Sequence, residues 1–254
     1  MAEREGALQI FGLDGLPEVP PGADVVQLLI DALGTSGEQL QTGDVVVVTH
    51  KIVSKAEGRL VDLKTVEPSA FAEKFALAWG KDARQVEVVL RESVRIVRMD
   101  RGVLICETPR GFICANAGVD ASNVADRETV CLQPADPDRS AEGIRQGLAD
   151  RLSVAVGVII SDTFGRAWRN GQVNVAIGVA GLAPLDDNRG KYDPNAYELR
   201  ATVLAVADEL AAAAELVMGK LARRPVAIIR GFHADGAPGT ARDLVMDPSR
   251  DMFR

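Results

Sequence analysis

Three unbroken apolar runs along the chain predict strands of a sheet. Residues 45–48 and 154–161 lack the alternation of apolar and polar positions that a half-exposed strand shows, which indicates strands covered on both faces. Residues 225–229 form a third run near the end of the chain. Because aromatic residues make up only 4% of the sequence, the core is expected to consist mainly of aliphatic side chains.

Helical patterns occur in four other segments. Residues 68–79 and 83–93 are predicted helices, and Ser140 is predicted to cap a helix that extends to Leu152. Residues 197–220 are rich in Ala and Leu with one wide apolar face, which gives the strongest helix prediction in the chain. Together with the strands, these segments indicate a mixed α and β protein.

The middle of the chain has a different pattern. Residues 94–117 contain short apolar stretches separated by turn residues, which predicts an antiparallel meander. We therefore expect an α+β fold with mixed and antiparallel sheets and packed helices. We divide it into a discontinuous α/β core of residues 1–90 plus 153–254 and a smaller, sheet-rich inserted domain of residues 91–152.

Composition and charge exclude several classes of function. The 29 basic and 36 acidic residues give a net charge of -7, so nucleic acid or a membrane surface is not an expected partner. With no apolar run of membrane-span length and no signal-peptide pattern, we expect a cytoplasmic protein. Three cysteines without a CxxC pair and two histidines make a zinc site improbable.

Candidate chemistry begins just after the first buried strand, where Lys51, Lys55 and Arg59 lie within nine residues of one another. Such cations suit the binding of phosphate oxygens. Composition alone also fits a solvated helix face. The sequence contains neither a GxxxxGK[ST] loop nor a GxGxxG motif, so any nucleotide site must be an unusual one.

A second candidate lies in residues 116–123, where Asp120 has small residues on both sides. A carboxylate with neighbouring amide oxygens offers the hard ligands that Mg²⁺ or Mn²⁺ prefers. The same residues also fit an ordinary turn in which Asp120 and Ser122 serve as caps.

A third candidate lies at the end of the second buried strand. Asp162 and Thr163 could bind adjacent metal ions, while Arg166 and Arg169 could neutralise a phosphate or a carboxylate. The alternative is a capped strand end with surface arginines. No Ser/His/Asp grouping suggests a hydrolase.

Several longer motifs, in order and spacing, resemble the F420-0:γ-glutamyl ligase family. They are Gly15-Leu16-Pro17-Glu18-Val19, Ile52-Val53-Ser54-Lys55-Ala56-Glu57-Gly58-Arg59, Asn116-Ala117-Gly118-Val119-Asp120-Ala121-Ser122-Asn123-Val124, Asp162-Thr163-Phe164-Gly165-Arg166, Ala176-Ile177-Gly178-Val179-Ala180-Gly181, Val206-Ala207-Asp208-Glu209, Met218-Gly219 and Ile229-Arg230-Gly231. The resemblance covers nearly the whole chain. It implies a GTP-dependent amide ligase that needs two Mg²⁺ or Mn²⁺ ions, with K⁺ in some members, and that forms an intertwined homodimer of two-domain chains.

The resemblance also implies roles for individual residues. The GTP-binding residues would be Leu16, Pro17, Glu18, Val19, His50, Lys51, Lys55, Asn123, Met218, Gly219 and Lys220. Asp120 and Asp162 would bind one metal ion and Thr163 the second. Lys55, Asp162 and Arg166 would act in catalysis, in which a phosphorylated carboxylate of F420-0 reacts with the amine of L-glutamate.

One position departs from the family pattern. Some members have a glutamate metal ligand directly after Met-Gly, where this chain has Lys220. A protonated lysine does not bind a metal, so Glu215 and Asp208 are the candidate replacements. The alternatives are an amide ligase of the same architecture that acts on another carboxylate, and a nucleotide-binding regulatory module without catalysis. A fused form of the family carries a flavin-binding domain, for which this chain has no room, so we expect no flavin.

Overall fold

A computed structural model of the protein describes residues 6–122, 128–233 and 236–251. Within these residues it has six α-helices: α1 (Val25–Ser36), α2 (His50–Ala56), α3 (Ala70–Trp79), α4 (Ala83–Arg91), α5 (Pro137–Leu152) and α6 (Val206–Met218). It has twelve strands: β1 (Gln9–Gly12), β2 (Val45–Thr49), β3 (Leu60–Asp62), β4 (Arg95–Asp100), β5 (Val103–Glu107), β6 (Ile113–Ala115), β7 (Thr129–Cys131), β8 (Gly157–Arg166), β9 (Arg169–Ala180), β10 (Asp186–Asp187), β11 (Val203–Leu204) and β12 (Val226–Arg230).

The main sheet has five strands in the order β1-β12-β2-β8-β9. Strands β2 and β8 pair in parallel, whereas the other neighbours are antiparallel. Strands β2 and β12 are buried along most of their length, and β8 is buried over its first half, as expected for strands covered on both faces. The structure confirms the three predicted core strands and the α+β class with mixed and antiparallel sheets.

Helices pack against this sheet, and a second hydrophobic cluster lies beside it. α6 packs against β1, β9 and β12, and α5 packs against β8 and β9. The second cluster joins α3 and α4 to the sheet β4-β5-β6 through buried residues that include Phe75, Val89, Leu104 and Val130. The domain borders at residues 90 and 153 stay a prediction. None of the helices described here has the length and apolar character needed to cross a membrane.

The predicted meander is confirmed, because β4, β5 and β6 form consecutive antiparallel pairs. The helices predicted at residues 68–79 and 83–93 are also confirmed as α3 and α4. Ser69 is the N-cap of α3, and its hydroxyl accepts a hydrogen bond from the backbone N–H of Ala72. Local sequence patterns therefore sufficed for these elements.

Two helix boundaries were wrong. The helix predicted over residues 197–220 begins only at Val206, because Val203 and Leu204 pair with β10 instead. The N-cap of α5 is Asp136 rather than Ser140, since the Asp136 side chain accepts from the N–H of Arg139 and Pro137 occupies the first helical position. Ser140 lies inside the first turn.

Strand β9 is an edge strand whose outer hydrogen-bonding groups are partly occupied by carboxylates. Asp208 of α6 accepts from the N–H of Ala176 at 2.8 Å. Asp138 of α5 accepts from the N–H of Val179 at 2.8 Å and also from the N–H of Ala241 at 2.8 Å. These contacts attach two helices and the C-terminal segment to one strand.

A glycine in β9 allows α5 to approach the sheet closely. A Cβ atom at Gly178 would lie 2.4 Å from the carbonyl oxygen of Pro137. Gly178→Ala would therefore force the backbone of β9 away from the start of α5. We expect it to lower the free energy of unfolding by about 1 to 3 kcal/mol, measured by urea denaturation. The control Gly143→Ala lies in α5 with open space around it and is expected to stabilise by up to about 1 kcal/mol. Equal effects of the two substitutions would contradict this packing.

Candidate active site

The site begins where the parallel pairing of β2 with β8 ends. Thr49 at the end of β2 is paired with Ser161 in β8, so the residues that follow them, His50 and Asp162, are neighbours. His50 Nε2 lies 3.3 Å from Asp162 Oδ1. Among the described residues, no group meets hydrogen-bond geometry at this buried nitrogen, so the contact with Asp162 is electrostatic.

The carboxylate of Asp162 is held by further groups on both oxygens. The side-chain amide of Gln133 donates to Oδ2 at 2.8 Å, and the backbone N–H of Thr163 donates to Oδ1 at 2.6 Å. Burial by itself raises the pKa of Asp162, but His50, Gln133 and Thr163 together hold it below its ordinary value. Asp162 is therefore an ionised carboxylate in a nearly closed environment.

Asp120 is the second ionised carboxylate. Lys51 Nζ lies 2.6 Å from Asp120 Oδ2, and it also donates to Ser122 Oγ at 2.6 Å. The N–H of Ser122 donates to Asp120 Oδ1 at 2.6 Å. Burial raises the pKa of Asp120, whereas Lys51 and the Ser122 N–H lower it to a net value below the usual range. Asp120 thus accepts the hydrogen bond that the turn interpretation predicts, whereas its role as a metal ligand stays a prediction.

The two lysines of α2 are buried, which contradicts the solvated-face alternative for this helix. Lys51 is 9% exposed and Lys55 is 8% exposed. Lys55 Nζ forms an ion pair with Glu18, whose side chain is 82% exposed. A buried ammonium group beside a carboxylate that water can reach is suited to receiving an anionic ligand.

Two routes connect Asp120 with Asp162. His50 and Lys51 are consecutive residues, and each contacts one of the two carboxylates. Cys131, two residues before Gln133, exchanges both backbone hydrogen bonds with Asp120. The structure therefore connects two aspartates that are far apart in the sequence through α2 and through residues 131–133.

The two carboxylates are candidate ligands for a divalent cation. In the part of the chain that the structure describes, no group of three or more His, Cys, Asp or Glu side chains could hold a metal ion alone. Mg²⁺ typically takes one or two protein carboxylates and completes its shell with water and substrate phosphates. Asp120 and Asp162 fit such a cation when a nucleotide supplies the remaining oxygens.

Thr163 leaves β8 on the face opposite Asp162, as consecutive strand residues do. Its hydroxyl donates to Asn174 Oδ1 at 2.8 Å, and Asn174 Nδ2 donates to Glu215 at 3.0 Å. Of the two candidate replacements for a ligand at Lys220, Glu215 is thus connected to Thr163. Asp208 instead accepts the N–H of Ala176 in β9. Lys220 itself is exposed after the end of α6.

The other predicted residues form no hydrogen bond or ion pair with either aspartate among the residues that the structure describes. Arg166 is exposed at the far end of β8, where it donates to the carbonyl of Asn170, about 13 Å along the strand from Asp162. Leu16, Pro17, Glu18 and Val19 follow β1, and Met218, Gly219 and Lys220 end α6. Asn123 lies outside the described residues.

Two surface cavities lie elsewhere. One of about 230 Å³ is lined mainly by apolar residues that include Phe112, Phe164 and Val175. The other, of about 280 Å³, lies at the opposite ends of the parallel strands and is lined by residues that include Gly43 and Gly157. Neither is lined by Asp120 or Asp162, so charge and hydrogen bonding, rather than cavity volume, identify the candidate site.

Sequence reasoning missed two residues that contact the predicted ones, Gln133 and Asn174. Gln133 follows the apolar residues of β7 in the same way that Asp162 follows the apolar part of β8. The sequence therefore contained a signal for Gln133. Asn174 is a buried polar residue in β9, and nothing in the linear pattern distinguishes it from an exposed strand position.

Comparison with known proteins gives a consistent result. Residues 15–231 match the sequence model of the family described as F420-0:Gamma-glutamyl ligase. The coenzyme F420:L-glutamate ligase of Methanothermobacter thermautotrophicus is 44% identical over 97% of this chain and 99% of its own length. That of Methanopyrus kandleri is 44% identical over 98% of this chain and its full length. That of Methanocaldococcus jannaschii is 41% identical over 85% of this chain and 86% of its own length. The chain therefore belongs to the F420-0:γ-glutamyl ligase family.

Proposed function

We propose that this protein is a GTP-dependent ligase that joins L-glutamate to F420-0 through an acyl-phosphate intermediate. The names of its relatives support the two substrates and the ligase reaction. The observation that carries the nucleotide-dependent mechanism is the convergence of Asp120 and Asp162 on consecutive residues of α2, His50 and Lys51.

The two-step reaction overcomes the low reactivity of a carboxylate toward an amine. In the first step, a carboxylate oxygen of F420-0 attacks the γ-phosphorus of GTP, which forms an acyl phosphate and releases GDP. In the second, the amine of L-glutamate attacks the acyl carbon, loses a proton, and displaces phosphate as the amide bond forms. Catalysis of phosphoryl transfer depends mainly on positioning and on neutralising charge.

Lys51 and Lys55 are the residues that would meet the phosphates. Both ammonium groups are buried and already paired with carboxylates. Binding a polyanion therefore does not require either lysine charge to be newly removed from water. Glu18 is exposed and can swing into solvent when a phosphate takes its place on Lys55. Arg166 would assist only if the hairpin between β8 and β9 moves toward the substrate.

Asp120 and Asp162 would hold a Mg²⁺ or Mn²⁺ ion. When bound, such an ion would neutralise the charge that develops on the phosphates. His50 and Gln133 keep the Asp162 carboxylate ionised and oriented. A second divalent ion would bind to Thr163. Glu215 is the acidic residue connected to the Thr163 hydroxyl through Asn174. A role for K⁺ stays a prediction.

An intertwined homodimer of two-domain chains is also part of this proposal, as is a location in the cytoplasm. The assembly is tested by light scattering during size-exclusion chromatography, where the mass of two chains is expected.

The reaction itself separates this function from its alternatives. With GTP, Mn²⁺, F420-0 and L-glutamate present, we expect phosphate release that requires all four components, because each step consumes one of the substrates. EDTA is expected to stop the release, and added Mn²⁺ to restore it. Release with another carboxylate in place of F420-0 would favour the related amide ligase. No release with any acceptor would favour the regulatory module. ATP in place of GTP tests the choice of nucleotide.

We expect Asp162→Asn to abolish turnover, a loss of at least about a thousandfold in kcat. The substitution removes the charge that would hold the cation but keeps the shape of the side chain. Circular dichroism should show an intact fold. Asp150→Asn is the matched control, because Asp150 is exposed on α5, and it should retain full activity. Normal kcat in Asp162→Asn would refute the assignment.

A further inference from the structure

We infer that Gln133 is a positioning residue for the ligase reaction: its side-chain amide fixes the Asp162 carboxylate, and its chain segment sets the spacing between Asp162 and Asp120. The inference rests on the proposed function, in which these two carboxylates hold the catalytic cation. Gln133 itself is not placed against substrate or cation.

The direct contact is a hydrogen bond of 2.8 Å from Gln133 Nε2 to Asp162 Oδ2. The NH₂ group must face the carboxylate, because the amide oxygen would be repelled by an ionised oxygen. The N–H of Thr163 occupies the other oxygen, Oδ1, at 2.6 Å. With a donor on each oxygen, the plane of the carboxylate cannot rotate freely. Outer groups of this kind orient metal ligands in proteins.

Gly118 provides the space in which the Gln133 side chain lies. A Cβ atom at position 118 would be 2.4 Å from Gln133 Nε2 and 2.6 Å from its Cδ. Gly118 also has a φ of +72°, a conformation that other residues rarely adopt. The glutamine is 9% exposed. A side chain enclosed in this way is fixed before any ligand binds.

The backbone around Gln133 is anchored as well. Arg59 Nε donates to the carbonyl of Gln133 at 3.1 Å, and the guanidinium also pairs with Glu92 at 2.8 Å. Two residues earlier, Cys131 forms two backbone hydrogen bonds with Asp120, at 2.9 and 2.8 Å. Residues 131–133 therefore hold one aspartate by the main chain and the other by a side chain. This short segment determines how far apart the two carboxylates lie.

Gln133→Met tests the inference, because it keeps the length of the side chain and removes the donor. We expect the dissociation constant for Mn²⁺, measured by the electron paramagnetic resonance of free Mn²⁺ with GDP present, to rise about 10- to 100-fold. We expect kcat to fall by a similar factor and the KM for L-glutamate to change less than about threefold. Gln146→Met, at an exposed position of α5, is the matched control and should behave like the wild type.

Gln133→Asn provides a second variant if Gln133→Met does not fold. It keeps the amide but shortens the side chain by one methylene, so its donor no longer reaches Asp162, and the same loss of Mn²⁺ affinity is expected. Wild-type Mn²⁺ affinity and kcat in either folded variant overturn the inference. A failure of the proposed function would give a different result, because Asp162→Asn itself would then bind Mn²⁺ and turn over normally.

Discussion

The parallel hydrogen bonding between β2 and β8 decides where the chemistry of this protein lies. Parallel strands end at the same edge of a sheet, so the residues that follow them meet there. Here the pairing of Thr49 with Ser161 places His50 beside Asp162. Helix α2 begins at this edge and carries Lys51 and Lys55 into contact with Asp120 and with the segment after β1. His50, Lys51 and Lys55 are thus all positioned by that one pairing.

Buried ion pairs such as those at this edge contribute little to the stability of a fold. Removing an ion pair from water costs on the order of several kcal/mol per ion, and the mutual attraction of the ions often does not compensate for this desolvation cost. Yet Lys51 and Lys55 are both at least nine-tenths buried, and their partners come from distant parts of the chain. In a protein with a net charge of -7, such a local group of cations would favour the approach of a polyanionic substrate. We therefore attribute the arrangement to binding rather than to stability.

The sequence predicted the sheet core and the candidate aspartates for physical reasons that are local. Unbroken apolar runs identified the buried strands, and the polar residues directly after them identified the edge of the sheet. Local patterns could not reveal that Val203 and Leu204 pair with β10, since that pairing depends on a segment more than ten residues away. Likewise, the contact of Gln133 with Asp162 joins segments separated by 29 residues. The hydrogen bonds of Asn174 with Thr163 and Glu215 are also long-range, and the sequence did not predict them.

The carboxylates along β9 have a consequence for how the main sheet can associate. An edge strand with open N–H groups is a template for another strand, and proteins commonly block such edges. Asp208 and Asp138 accept from the N–H groups of Ala176 and Val179. A strand from another molecule could pair there only by displacing both side chains and the helices that carry them. The five-stranded sheet is thus closed to growth at these positions of β9 by the same acidic groups that attach its helices.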